Sequence, residues 1–113
     1  MFKTKTKIGI IGAGAWGTAL SNILVKKQNV ILWAKEKNVC DNINKHQENK
    51  RFLPKIKLSK KIYCTTEISD VDGCDILFLV IPVQYLSSVL VKLKNSLDKK
   101  TIFVCCSKGL EMS

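Results

Sequence analysis

A chain of 113 residues has the length of a single compact domain. Its 46% hydrophobic content excludes a disordered chain, and its longest apolar run, eight residues at 76–83, falls far short of the roughly 20 that a membrane-spanning helix needs. A formal net charge of +10, from 19 Lys and Arg against 9 Asp and Glu, raises nucleic acid as a partner.

Lys7-Ile-Gly-Ile-Ile11 is a short β-branched run ending in glycines, the pattern of a buried strand. From Trp16 the period changes. Ala19, Leu20, Ile23, Leu24 and Lys27 recur at helical spacing, and Lys26 and Lys27 suit a helix C-terminus, where the dipole favours cations. Residues 30–33 form a second apolar run of strand length, so residues 7–33 are expected to be one βαβ unit with a right-handed crossover. A short helix is expected over 36–44, then a polar stretch over 46–61 broken by Phe52-Leu-Pro54, then a brief strand over 62–65. Residues 74–81 are the strongest strand in the chain, and their near-continuous apolarity predicts cover on both faces. Pro82 ends that strand, because proline cannot donate to the ladder.

Leu86, Val89, Leu90, Leu93 and Leu97 mark one further amphipathic helix. Residues 101–106 read as a last buried strand, with Ser107-Lys-Gly-Leu110 at its carboxyl end. Strands alternating with helices predict an α/β, doubly wound fold with a parallel sheet. No repeat or linker divides the chain. Because a doubly wound sheet normally continues where this one stops, residues 1–113 are expected to be the first domain of a longer protein.

The pattern of the charge argues against nucleic acid. Eighteen of the 19 basic residues are Lys, dispersed in twos and threes, and only Arg51 offers the guanidinium that base-edge and bidentate phosphate recognition favours. A solvated basic surface is the expected reading. The five cysteines, at 40, 64, 74, 105 and 106, are odd in number and lack CxxC spacing, and His46 is the only histidine. They are expected to be reduced, buried, inert thiols of a cytoplasmic protein, with no metal site. Lys3, Lys5 and Lys7 before an apolar stretch resemble a signal peptide, but Gly12, Gly14 and Gly17 interrupt that stretch at a spacing with another purpose.

Gly12-Ala-Gly14-Ala-Trp-Gly17 fits G-x-G-x-x-G, and it follows a predicted strand and opens a predicted helix, the context the motif requires. Gly12 would make the tight turn, Gly14 would let a pyrophosphate approach the backbone, and Gly17 would let helix and strand pack closely. Unpaired N–H groups at the helix start would hold the anion. The cofactor is therefore NAD or NADP. The second predicted strand ends in Trp33-Ala34-Lys35-Glu36, where Lys35 could meet a 2′-phosphate and Glu36 a ribose hydroxyl, a modest lean to dual or NADP use.

Five segments occur in order: Gly12-Ala-Gly-Ala-Trp-Gly-Thr-Ala-Leu20, Leu32-Trp-Ala-Lys-Glu36, His46-x-x-Asn49-x-x-Phe52-Leu-Pro54, Ile81-Pro-Val-Gln84 and Ser107-Lys-Gly-Leu-Glu111. Together they resemble the bacterial-type NAD(P)-dependent glycerol-3-phosphate dehydrogenases over nearly the whole chain. The resemblance implies a Rossmann-like cofactor domain and the reversible reduction of dihydroxyacetone phosphate to sn-glycerol 3-phosphate for glycerophospholipid synthesis.

By position, the resemblance implies that Ala15 and Trp16 line the cofactor phosphates, Ala15 lacking the hydroxyl of the serine common in the family. Lys35 stands where the family commonly has Arg, which weakens bidentate 2′-phosphate recognition. Lys108 matches the lysine that contacts both substrate and cofactor, and a lysine at a strand's carboxyl end suits that task on physical grounds too. Trp16 could equally be packing, and Pro82 and Gln84 stand where they could touch the cofactor. His46 is expected to position Asn49 and the Phe52-Leu-Pro54 turn rather than act as a base.

The family's general acid/base lysine belongs to a second, helical domain, so no catalytic residue is expected within residues 1–113. The isolated chain is expected to bind a dinucleotide and turn over little or no substrate. Another two-domain dehydrogenase of hydroxyacyl-CoA or ketopantoate type, or a non-enzymatic nucleotide-binding module, are the alternative readings. The sequence leaves the oligomeric state open.

Overall fold

The computed structural model describes residues 6–106. Five strands, β1 (Lys7–Ile11), β2 (Asn29–Trp33), β3 (Tyr63–Thr65), β4 (Ile76–Leu79) and β5 (Ile102–Cys105), form one sheet in the order β3-β2-β1-β4-β5. Every pairing is parallel, with Ile8 opposite both Val30 and Ile76. The helices are α1 (Ala15–Leu24), α2 (Lys37–His46), α3 (Leu86–Leu90) and α4 (Lys94–Asp98), with single 3-10 turns at Ile68–Asp70 and Val83–Tyr85. The doubly wound expectation holds, and the chain reverses its direction of travel across the sheet between β1 and β4.

The period of two along each strand sorts its side chains onto two cores. Ile8, Ile10, Val30 and Leu32 face one side, under Val25, Val39 and Ile43 of α1, α2 and their ends. Ile11, Leu77 and Leu79 face the other, under Val89 and Leu93. β4 is covered on both faces, as its apolar run requires, because Ile76 and Phe78 pack against the first core. Small residues dominate the buried face of α1, where Gly17, Thr18 and Ser21 lie against the sheet. Of the residues picked by the apolar spacing, Leu20 and Leu24 are partly buried against the first core, whereas Ile23 is exposed, because Gly17, Thr18 and Ser21 hold the face turned to the sheet. Lys26 and Lys27 sit in the turn after α1 rather than in its last turn.

The single helix expected over Leu86 to Leu97 is two short ones. Lys92 and Leu93 tighten to i→i−3 bonds, and α4 starts afresh at Lys94. Its start is capped from another segment: the Asp72 carboxylate accepts from the N–H of Asn95 (3.3 Å) and of Ser96 (2.8 Å) and from the Ser96 hydroxyl (2.8 Å). Burial opposes the Asp72 charge, but the Ser96 and Asn95 hydrogen bonds outweigh it and hold the carboxyl below its ordinary range. Asp72→Ala should therefore destabilise the domain by about 1–2 kcal/mol in denaturant melts. The contribution is complete above about pH 4, the unfolded carboxylate's value, and disappears as pH falls through the lower folded value. A melt at neutral pH indistinguishable from the parent would refute the cap.

β5 is an edge strand rather than a buried one among the described residues. Ile102 is 60% exposed and Cys105 is exposed, because β4 pairs along one side of β5 and no described element pairs along the other. The cysteines accordingly divide. Cys40, Cys64 and Cys74 are buried, and burial pushes each thiol up, Cys64 furthest. Cys105 and the half-buried Cys106 depart from the expectation of uniformly buried thiols. Among the described residues no helix is long and apolar enough to cross a membrane.

Candidate functional site

In parallel sheets, ligands gather beyond the carboxyl ends of the strands where the chain reverses direction. Here that position, above β1 and β4, opens into a cleft of about 860 Å³, the size of a small-molecule site. Gly12, Ala13 and Gly14 form its floor beside Trp33 to Glu36 from the end of β2. Val80 to Pro82, Tyr85, Ser88, Val89 and Lys92 form the wall that follows β4.

The three glycines of the motif answer to three different contacts. Gly12 turns with φ +123°, and a Cβ there would lie 2.2 Å from the Val80 carbonyl oxygen. Its N–H donates to Trp33 O (3.0 Å), which ties the loop to β2. A Cβ on Gly17 would fall 1.7 Å from the Gly12 carbonyl oxygen, so this residue lets helix and loop touch. Gly14 differs: a Cβ there meets nothing within 4 Å. No side chain caps α1, so its first N–H groups, from Ala15 onward, have no intrahelical partner, and Gly14, the residue before them, lines the cleft. Bare donors at the positive end of a helix dipole, approachable because Gly14 lacks a side chain, suit a diphosphate.

The loop's shape is held from across the fold. Asn49, 1% exposed, donates from Nδ2 to Ala13 O (2.9 Å) and Thr18 Oγ1 (2.8 Å) and accepts at Oδ1 from Phe52 N–H (3.1 Å). Thr18 Oγ1 in turn donates to Ala13 O (3.3 Å). Asn49 is thus the residue that joins the glycine loop to the Phe52-Leu-Pro54 turn. The expectation that His46 positions this turn does not hold: His46 is exposed at the end of α2, and Asn49 makes the bonds itself.

Of the residues singled out in the sequence, Gly12, Gly14, Lys35 and Pro82 line one cleft, and Gly17 packs behind it. Ala15 and Trp16 stand at the start of α1. Trp16 is 63% exposed, so it is not a packing residue in the described domain. Gln84 is exposed and does not line the cleft. Lys108 lies outside the described residues. Lys35 reaches toward Tyr85, its ammonium 5.9 Å from the ring centroid. Glu36 bonds Arg51, whose guanidinium lies 5.0 Å from the Phe52 ring centroid. Asn49, Arg51 and Tyr85 had no assigned part in the sequence reading, although Asn49 and Phe52 lay inside one of its segments. Among the described residues no three His, Cys, Asp or Glu side chains gather to hold a metal ion.

A parallel sheet of this order, with a glycine loop opening a helix at its reversal point, defines a Rossmann-like domain. The chain belongs to the NAD-dependent glycerol-3-phosphate dehydrogenase N-terminus family, whose model matches residues 7–113. It is 43% identical over 109 residues to the glycerol-3-phosphate dehydrogenase (NAD(P)+) of Maridesulfovibrio salexigens, covering 95% of this chain and 33% of the relative. The protein of that name from Hyphomonas neptunium is 42% identical over 113 residues, covering 99% and 33%. The crystal structure of glycerol-3-phosphate dehydrogenase from Coxiella burnetii superposes with a TM-score of 0.80 at 30% identity, covering 91% of this chain and 32% of that one. The chain thus spans about one third of the length of the curated relatives it matches.

Proposed function

We propose that this chain binds NAD or NADP across the carboxyl ends of β1, β2 and β4, as the cofactor-holding part of an enzyme that interconverts dihydroxyacetone phosphate and sn-glycerol 3-phosphate. The observation that carries the reading is the uncapped start of α1 beside Gly14, which opens onto the cleft. The N–H groups of Ala15 and Trp16 hold the diphosphate, Gly12 and Gly17 keep the loop beneath it, and Pro82 borders the far end of the cleft. Lys35 meets the adenosine ribose. Lys108 contacts cofactor and substrate, in line with the family's Ser/Thr-Lys-Gly motif. The bound dinucleotide supplies the hydride.

On this reading residues 1–113 form the cofactor domain of a longer enzyme, and the substrate's positioning and its proton transfer belong to the remainder. The protein works in the cytoplasm, in glycerophospholipid synthesis. NADH and NADPH fluorescence titrations of the 113-residue chain should show saturable binding. Oxidation of NADH driven by dihydroxyacetone phosphate should appear with the full-length protein and not with the short chain. Absence of any dinucleotide binding, or substrate turnover by the 113 residues alone, would overturn the respective half of the proposal.

A further inference from the structure

The adenosine-ribose end of the cleft holds more charge than Lys35 alone. A carboxylate just after the second strand of this fold ordinarily accepts the ribose 2′-OH and repels a 2′-phosphate. Glu36 occupies that place and lines the cleft. It stands at the N-cap of α2, yet its side chain does not cap the helix. Its Oε1 instead accepts from Arg51 Nη1. Arg51 is held from both flanks: Lys50 N–H donates to Asn42 Oδ1 of α2 (2.9 Å), and Phe52 N–H donates to Asn49 Oδ1 (3.1 Å). Its guanidinium lies against the ring of Phe52, which itself lines the cleft.

Resting on the dinucleotide reading above, we propose that Arg51 is the residue that selects between the two dinucleotides, and that it favours NADP. Its cation neutralises Glu36 and so removes the charge that would repel a 2′-phosphate. The two partners keep 55% and 42% of their side chains exposed, so the pair is held weakly and opens readily. A 2′-phosphate then takes the planar fork of Arg51, a better match than the point charge of Lys35, while Lys35 supplies a second cation and Glu36 turns to solvent. With NAD the ribose hydroxyl finds Glu36 already engaged. Glu36 and Glu67 both line the cleft, so the pairing of Glu36 with Arg51 lowers the negative charge that a dianion meets at this end of the site.

The test measures binding, not turnover, in the full-length protein: NADH and NADPH affinities by nucleotide fluorescence at one fixed salt concentration. The parent should bind NADPH more tightly. Arg51→Ala should weaken NADPH at least about tenfold, the scale of a lost charge-assisted bond, while changing NADH little or improving it. Arg51→Lys should recover only part of the loss. Glu36→Gln should tighten NADPH, and Arg51→Ala should cost less NADPH affinity when made in the Glu36→Gln background than when made in the parent, a non-additivity that a merely structural arginine would not produce. Equal losses for both nucleotides, no loss for either, or a parent that prefers NADH would overturn the assignment while leaving the dinucleotide site intact. A parent that binds neither nucleotide would overturn the dinucleotide reading itself.

Discussion

Gly17→Ala is expected to be among the most damaging single-methyl additions to this domain, and Gly14→Val is expected to leave folding nearly intact while weakening dinucleotide binding. The added carbon at residue 17 would overlap the Gly12 carbonyl oxygen at 1.7 Å. Gly12 cannot retreat, because the Val80 carbonyl closes its other side. Helix α1 must therefore lift from the sheet, opening the core beneath Val25 and Leu24, at a cost on the order of 4 kcal/mol. That is a large share of the roughly 5–15 kcal/mol that holds a domain folded. At residue 14 the backbone is extended (φ −75°, ψ −166°), open to any residue, and a side chain meets no protein atom within 4 Å. Gly14→Val should melt within about 0.5 kcal/mol of the parent, yet lose at least about tenfold in NADH affinity as its methyls stand before the α1 donors. Denaturant melts and fluorescence titrations of the two variants should separate cleanly. A well-folded Gly17→Ala, or a Gly14→Val that binds like the parent, would contradict this account of the loop.

Asn49→Ala is expected to lower both stability and dinucleotide affinity. Three hydrogen bonds go with the amide, and Ala13 O, Thr18 Oγ1 and Phe52 N–H lose a buried partner, about 2–3 kcal/mol in all. Asn49→Asp should be worse than alanine although it is nearly isosteric. A carboxylate oxygen would replace the amide donor, face the Ala13 carbonyl oxygen, and bring a charge into a buried place. Because the lost bonds anchor the glycine loop, the affinity for either dinucleotide should fall by a similar factor, unlike the selective loss expected at Arg51. The order Asn, Ala, Asp in both melting and binding is the check.

What was legible in the sequence was what depends on neighbours along the chain. The bounds of β1 and its glycine loop follow from β-branched residues giving way to G-x-G-x-x-G, a pattern whose whole logic lies within residues 7–17. The two-faced cover of β4 was legible in its unbroken apolarity. The break between α3 and α4 was not, since leucines continue at helical spacing and the group that starts α4, Asp72, is 24 residues before Ser96. Asn49 escaped for the same reason: its partners in the glycine loop lie 36 and 31 residues away. The edge exposure of β5 depends on what pairs beside it, which an apolar run does not encode.

The placement of β1 between β2 and β4 has a consequence for the order in which the domain can assemble. The motif 12–17 is as local as a sequence signal can be, but one wall of its turn is the Val80 backbone, reached through the pairing of Ile8 with Ile76. That pairing closes a loop of some 68 residues, whereas β1 meets β2 across about 22. Chain entropy charges the longer closure more, if only slowly with length, and non-local parallel pairings slow a folding reaction. The βαβ half can therefore gather first, with its glycine turn formed on one side only. The anion cradle reaches its final shape when β4 docks, so competence to bind reports on the longest-range contact of the sheet.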